Sequence, residues 1–474
     1  MSAVPASIGI RAASVQSDST VAERLADFAH RLKYRDIPAS VVDRAKLHML
    51  DAIGTALVAT RYDFARDIHA GLKSMDETGN HTVLGMDSRL PLRDAVLMNA
   101  ALAHGLDYDD THMAGIIHPS ASALPCALGV AEHIDASGQE LLAAYVLGVE
   151  SAIRVGKAAK GGFHHIGFHP TGLCAHFSCA LLAGRLLGLA PGQLVMAQGI
   201  VGSTAAASHE FRATGAWNKR LHPGWAGVAG ITAAKLAKHG FIAPSTVYEG
   251  KFGLYRSHLG ALANDIDFDT ISDGLGEHWE MPLTAIKPFP VCHFIHASAD
   301  AALTLRARHN LTPAQIARIR ILLPQPTMHI VADPPITKRH PTTDYQAKFS
   351  AQFSIAACLV RGRLTLAELE PEVLNDKTIA ELADRTDCEA DPTSGYPRYF
   401  SGGVVITTED GRELRHMEPV NRGAEDRALT SDEITAKFMD NACMVVSKQR
   451  ATDIRTAVLE TEKHTARALL RTLA

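Results

Sequence analysis

Apolar residues recur at helical spacing along the first part of this chain, switch to a period of two, and return to helical spacing near the end. Few architectures accommodate that order. Thr20 to Glu23 forms a capping box ahead of Leu25, Phe28, Ala29 and Leu32, which fixes the start of a helix. After Pro38, Ala45, Met49, Ile53, Ala56 and Leu57 repeat the period, and Ser137 to Glu140 opens another helix through Val146 and Ile153. Stretches at 173–188 and 225–239 are rich in Ala and Gly, and small residues at this spacing let helices approach closely. Up to about residue 280 the pattern predicts a helical bundle.

Residues 316–323 then place Ile319, Ile321 and Leu323 on one face and Arg318 and Arg320 on the other, a strand signal closed by Pro324. Residues 404–408 and 412–417 flank Asp410-Gly411 as a hairpin, and Phe349, Phe353, Ala357 and Val360 mark the buried stripe of a helix between the strands. A capping box at Thr430 to Glu433 restarts helical periodicity through Phe438 and Val445, then Ile454, Val458 and Leu469. With 474 residues the chain is too long for one core. The expected fold is mainly α: a helical domain from residues 20–287 and 418–474, an inserted α/β lid at 288–417, and a disordered tail at 1–19.

Composition removes several function classes. Lys and Arg total 47 against 51 Asp and Glu, so no positive field is available for nucleic acid. The seven cysteines include no C-x-x-C pair, which signals neither a disulfide framework nor a structural zinc site and points to a reducing, cytoplasmic setting. The most apolar runs carry Glu150 and Arg154, or His176 and Arg185, so no membrane span is expected. Glycine-rich phosphate loops, G-x-S-x-G and H-E-x-x-H are absent. What stands out is 24 histidines, side chains able to act as base, acid or ligand near neutral pH.

Four polar clusters could carry chemistry. His104, Asp107 and Thr111 would share one face if the helix beginning near Ala95 continued, and Asp109, Asp110, His112 and His118 follow. This cluster suits a solvated helix end, a divalent-metal site on Asp107, Asp109 and Asp110, or acid/base chemistry. His164-His165 and His169-Pro170 precede an Ala/Gly-rich helix, and at a helix N-terminus the dipole keeps the His169 imidazole neutral. Lys219 to His222 and Lys287-Pro288 hold cations between apolar residues and prolines, a setting for binding carboxylates or simply solvated loop charge.

Taken together in this order, Asp51-Ala-Ile-Gly54, Asp107-Tyr-Asp-Asp-Thr111, His118-Pro-Ser120, Phe168-His-Pro170, Lys219-Arg-Leu-His222 and Lys287-Pro-Phe-Pro290 resemble the MmgE/PrpD family across residues about 20 to 460. The resemblance implies a two-segment helical domain with a lid, a homodimer, and a junction site that uses no metal or organic cofactor. It implies catalytic roles for His118, His169, Asp107 and Thr111, and contacts to a small polycarboxylate substrate from Lys219, Lys287 and His222. The implied reaction is a lyase step of the cis-aconitate decarboxylase type through a carbanion-like intermediate, with an iminodisuccinate-type epimerase or a 2-methylcitrate-type dehydratase as alternatives. Asp109 stands where the dehydratase branch carries Asn, and Ala121-Ser122 where it carries Asp-Asn. Met328 and His329 occupy the stretch from which some decarboxylases bring a lid tyrosine.

Overall fold

The computed structural model describes residues 19–75, 78–396, 399–423 and 427–474, so the tail expected at 1–19 lies, apart from Ser19, outside the described residues. Helix α1 (Val21–Arg31) begins at the first capping box: Thr20 Oγ1 accepts from the Glu23 amide, and the Glu23 carboxylate accepts from the Thr20 amide. The bundle continues with α2 (Ala39–Ala59), α3 (Asp63–Lys73), a short ladder of β1 (His81–Thr82) with β2 (Arg89–Leu90), and α4 (Leu92–His104). Then come α5 (Ser120–Ile134), α6 (Gly138–Ala158), α7 (Pro170–Leu186), α8 (Pro191–Val201) and α9 (Asn218–Lys238). Helices α5, α6 and α7 are buried almost all round, as the centre of a bundle requires. The small residues of α9 explain its seat on α7, since a Cβ at Gly230 would lie 2.6 Å from the Cys179 backbone.

The lid holds α10 (His296–His309), β3 (Ile316–Leu323), α11 (Ala351–Arg361), α12 (Lys377–Asp384), β4 (Thr386–Ala390), β5 (Gly402–Thr408) and β6 (Glu413–Glu418). Its sheet runs β4-β3-β5-β6, with β3 parallel to β4 and the other pairs antiparallel. Ile319, Ile321 and Leu323 are fully buried, whereas Arg318 and Arg320 pair with Asp387 and Glu413 at 2.8 and 2.7 Å. The chain then returns to the bundle through α13 (Ser431–Ala442), α14 (Lys448–Leu459) and α15 (Ala466–Leu473). Phe438 of α13 covers Gly54 of α2, where an added Cβ would come within 2.9 Å of the ring.

Four local expectations need correction. Helix α4 stops at His104, and Asp107 adopts a left-handed φ of 54°, so His104, Asp107 and Thr111 share no helical face. Asp tolerates that conformation better than most residues, and the turn it makes ends the helix. Phe349 precedes the α11 N-cap Ser350 and is half-buried rather than part of the core stripe. Strand β4 was not visible because Asp387 and Glu389 point outward from a half-exposed edge with no apolar alternation. Helix α13 ends before Val445. Among the described residues no helix is long and apolar enough to cross a membrane.

Candidate active site

The left-handed turn at Asp107 brings together groups that the sequence keeps far apart. Asp107 Oδ1 lies 2.6 Å from Lys219 Nζ and 3.2 Å from Lys287 Nζ, and Lys287 also donates to the Asp107 carbonyl at 2.7 Å. Lys219 stands in the first turn of α9, where the helix dipole disfavours a cation, so the carboxylate beside it is needed. Thr111 and Ala285 exchange both backbone hydrogen bonds at 2.8 Å, which pins the turn against the segment carrying Lys287. Burial pushes the Asp107 pKa up, but the two ammonium groups and His118 outweigh it and hold the carboxyl well below its ordinary range.

His118 Nδ1 lies 2.8 Å from the Asp110 carbonyl. A carbonyl only accepts, so the hydrogen is on Nδ1 and Nε2 is bare, 3.9 Å from Asp107 Oδ1. Thr111 Oγ1 is 3.2 Å from the same Nδ1, and the His118 amide donates to Thr171 Oγ1 on α7 at 3.0 Å. Burial lowers the His118 pKa, Asp109 partly restores it, and Lys219 and Lys287 lower it again, to about 4. The imidazole is neutral at physiological pH.

His169 is the N-cap of α7, followed by Pro170 at the first helical position, and its Nδ1 is 3.1 Å from His222 Nδ1. Its ring stacks on His104 with centroids 5.4 Å apart. Burial, with His104 and Lys219 nearby, holds the His169 pKa well below the usual imidazole range, and burial likewise brings His222 to about 4. Gly172 makes room for the pair, because a Cβ there would lie 2.7 Å from His222 Cβ.

These groups border a cavity of about 600 Å³ closed on its far side by Cys292, His293, Phe294, Ile330, Tyr345, Phe349 and Phe400 of the lid segment. Asp107, Thr111, His118, His169, Lys219 and Lys287 all line it, whereas His222 stands behind His169. Sequence reasoning missed His209, Arg212, His293, Lys338 and Tyr345 in the same lining, one in a turn and the others in helices of three to five residues, too short to carry a periodic pattern that would mark them. Another cleft, about 720 Å³, mixes Arg61, Arg339 and Lys377 with Asp63, Asp344 and Glu370 and contains none of the expected site residues.

The three carboxylates considered for a hard cation diverge. Asp107 pairs with the lysines, Asp109 accepts from His104 Nδ1 at 2.7 Å, and Asp110 accepts from His48 Nδ1 at 2.8 Å and from Ser120. His104, Asp109 and His118 do present ligand atoms within 4.8 Å of one another, but both Nδ1 atoms are engaged as donors.

Residues 23–266 match the MmgE/PrpD N-terminal domain, and residues 289–463 match the MmgE/PrpD C-terminal domain. The chain belongs to the MmgE/PrpD family. Its MmgE/PrpD relatives include the cis-aconitate decarboxylase-like protein oryM of Aspergillus oryzae, 26% identical over 94% of this chain and 95% of the relative. The cis-aconitate decarboxylase of Homo sapiens is 27% identical over 90% and 89%, and the mitochondrial 2-methylcitrate dehydratase of Yarrowia lipolytica 25% identical over 87% and 82%. Decarboxylases and dehydratases are both lyases, and Lys287 lies at the cavity in the stretch 267–288 between the two MmgE/PrpD domain matches.

Proposed function

We propose that the protein is a lyase acting on a small polycarboxylate, of the decarboxylase type, with no metal or organic cofactor in the step. The observation that carries this reading is the convergence of two ammonium groups, a bare imidazole nitrogen and a second buried imidazole around one cavity. Substrate carboxylates bind at Lys219 and Lys287, which among the described residues share one carboxylate between them and so retain net positive charge. When the carbon–carbon bond to the departing carboxylate breaks, carbon dioxide leaves and the electron pair stays on carbon, delocalised toward a remaining carboxylate. Fixed ammonium groups in a water-poor site stabilise that charge.

The carbanion needs a proton, and His118 and His169 are its sources. Both are neutral in the free protein, but a polyanion arriving next to them favours their charged forms, so a proton is taken up with the substrate. Thr111 holds a substrate oxygen, and His222 orients His169 through the nitrogen pair. A dehydratase reading uses the same groups in the opposite sense, with His118 Nε2 abstracting a proton next to a carboxylate. The bare nitrogen supports it, while Asp109 and Ala121-Ser122 point away from the dehydratase branch, toward the decarboxylase and epimerase branches alike.

Assaying carbon dioxide release from cis-aconitate and dehydration of 2-methylcitrate, with wild type, His118→Gln and Lys219→Ala, tests the proposal. Turnover of cis-aconitate that drops at least about a hundredfold in each variant is expected. Wild-type turnover that survives both substitutions contradicts the assigned roles.

A further inference from the structure

Arg220 follows Lys219 in the first turn of α9, yet it stands behind the cavity rather than in its lining. Its side chain is buried, and among the described residues no carboxylate pairs with it. A buried guanidinium in that position needs another source of negative potential, which aromatic faces supply. Arg220 Cζ lies 4.3 Å from the centroid of the Phe64 ring, 5.6 Å from that of Trp217 and 5.7 Å from that of Tyr345. Phe64 stands in α3 and Trp217 caps α9, both in the bundle, whereas Tyr345 belongs to the short lid helix Asp344–Lys348 and lines the cavity. Docking of the lid therefore completes the cage around a bundle cation.

The same lid helix returns a cation to the bundle. Lys348 is fully buried, with its ammonium 5.8 Å from the centroid of the Tyr62 ring and 3.5 Å from Asp344. The Tyr62 and Phe64 rings lie 6.0 Å apart, so one aromatic pair receives a cation from each domain. Backbone bonds carry this docking to the two ammonium groups that share Asp107. Arg220 Nε donates to the Gly105 carbonyl at 2.9 Å, just before Asp107, and a Cβ at Gly105 would lie 2.2 Å from Phe64 Cζ. The Lys348 carbonyl accepts from the Cys292 amide at 2.7 Å, on the segment that begins with Lys287. We propose that Arg220 is a positioning residue: caged by Tyr345 and bonded to the Gly105 carbonyl, it lets lid docking set the spacing of Lys219 and Lys287 about Asp107. Affinity for carboxylates at those lysines then depends on the docked lid, a consequence that rests on the polycarboxylate reading, whereas the docking itself does not.

Hydrogen exchange of the full-length protein, read by mass spectrometry, tests the docking without a ligand. Arg220→Met and Tyr345→Leu should each speed exchange in residues 344–349 about tenfold while leaving β3 unchanged. Tyr345→Phe keeps the ring and should show wild-type protection there. If Arg220→Met fails to fold, the comparison of Tyr345→Leu with Tyr345→Phe decides. Calorimetric titration with tricarballylate, a saturated tricarboxylate, then reads the site. Each of the first two substitutions should weaken binding about tenfold, and the double variant should bind no more weakly than either, because both remove one contact. Unchanged exchange in 344–349, or losses of affinity that multiply in the double variant, overturns the inference and leaves the lyase reading standing. Failure of the wild-type protein to bind tricarballylate contradicts the polycarboxylate reading instead, and the exchange rates alone then uphold or overturn the docking through Arg220.

Discussion

Asp107 decides the character of the candidate site because, among the described residues, it is the one carboxylate that meets both ammonium groups. Replacing it by Asn leaves two largely buried cations without a counter-charge, and breaking a buried pair in this way costs about 3–5 kcal/mol. Asp107→Asn is therefore expected to lower the urea midpoint markedly while Asp63→Asn, at an exposed ion pair, changes it little. The buried histidines make a second prediction. His118, His176 and His222 sit near 4 and His209 and His296 near 3, all lowered by burial, against about 6.5 in the unfolded chain. Below about 6.5 the unfolded chain takes up protons that the folded one refuses, so their stabilisation is complete above that pH and is lost as pH falls toward 4. Asp51 and Glu150, raised by burial to about 6 and about 7, oppose this trend, but they are outnumbered. Denaturation followed at pH 7.5 and 4.5 should show a clearly lower midpoint at the acid value; a higher one would contradict the assignment of neutral, buried imidazoles.

At the scale of elements, the candidate site is assembled from helix ends and the segments between helices: Lys219 stands in the first turn of α9 and His169 caps α7, while Asp107, Thr111, His118 and Lys287 lie outside helices. Lys437 of α13 donates to the Tyr108 carbonyl at 2.8 Å and pairs with Asp51 of α2 at 2.7 Å, so the C-terminal segment braces the turn that carries Asp107. Lys437→Met should lower both the melting temperature and kcat although the residue does not line the cavity. Gly172→Ala forces His222 away from α7, an overpacking that costs about 1–3 kcal/mol. Circular dichroism should show the helices retained, and the activity loss should exceed the stability loss. The outer face of α9 exposes Leu221, Trp225 and Leu236 while its first turn carries Lys219 into the site. The homodimer that the motif resemblance implies would pair through this face, and sedimentation of Trp225→Glu should then show a monomer where wild type shows a dimer.

For the molecule as a whole, the order of helical bundle, lid and returning helices was legible in the sequence because period and capping are local. The boxes at Thr20 and Thr430 and the alternation of Ile319, Ile321 and Leu323 each announce an element from within it. The candidate site residues were nameable for a different reason, their motif order, while their geometry was not. A left-handed Asp107 replaces the helical face that spacing suggested, and nothing near Lys219 or Lys287 in sequence indicates that one carboxylate would join them. Tyr345 and Phe349 were unreadable as cavity residues because the lid's fold, not its local pattern, aims them. The central claim is that these scattered groups together make and protonate a carbanion next to a carboxylate. Proton and carbon NMR of the wild-type protein incubated with cis-aconitate in heavy water tests it most directly. The account predicts a decarboxylated product bearing one solvent deuterium on carbon, formed by wild type and lost in Lys219→Ala and His118→Gln. Recovery of cis-aconitate unchanged and without deuterium from the wild-type protein would contradict it.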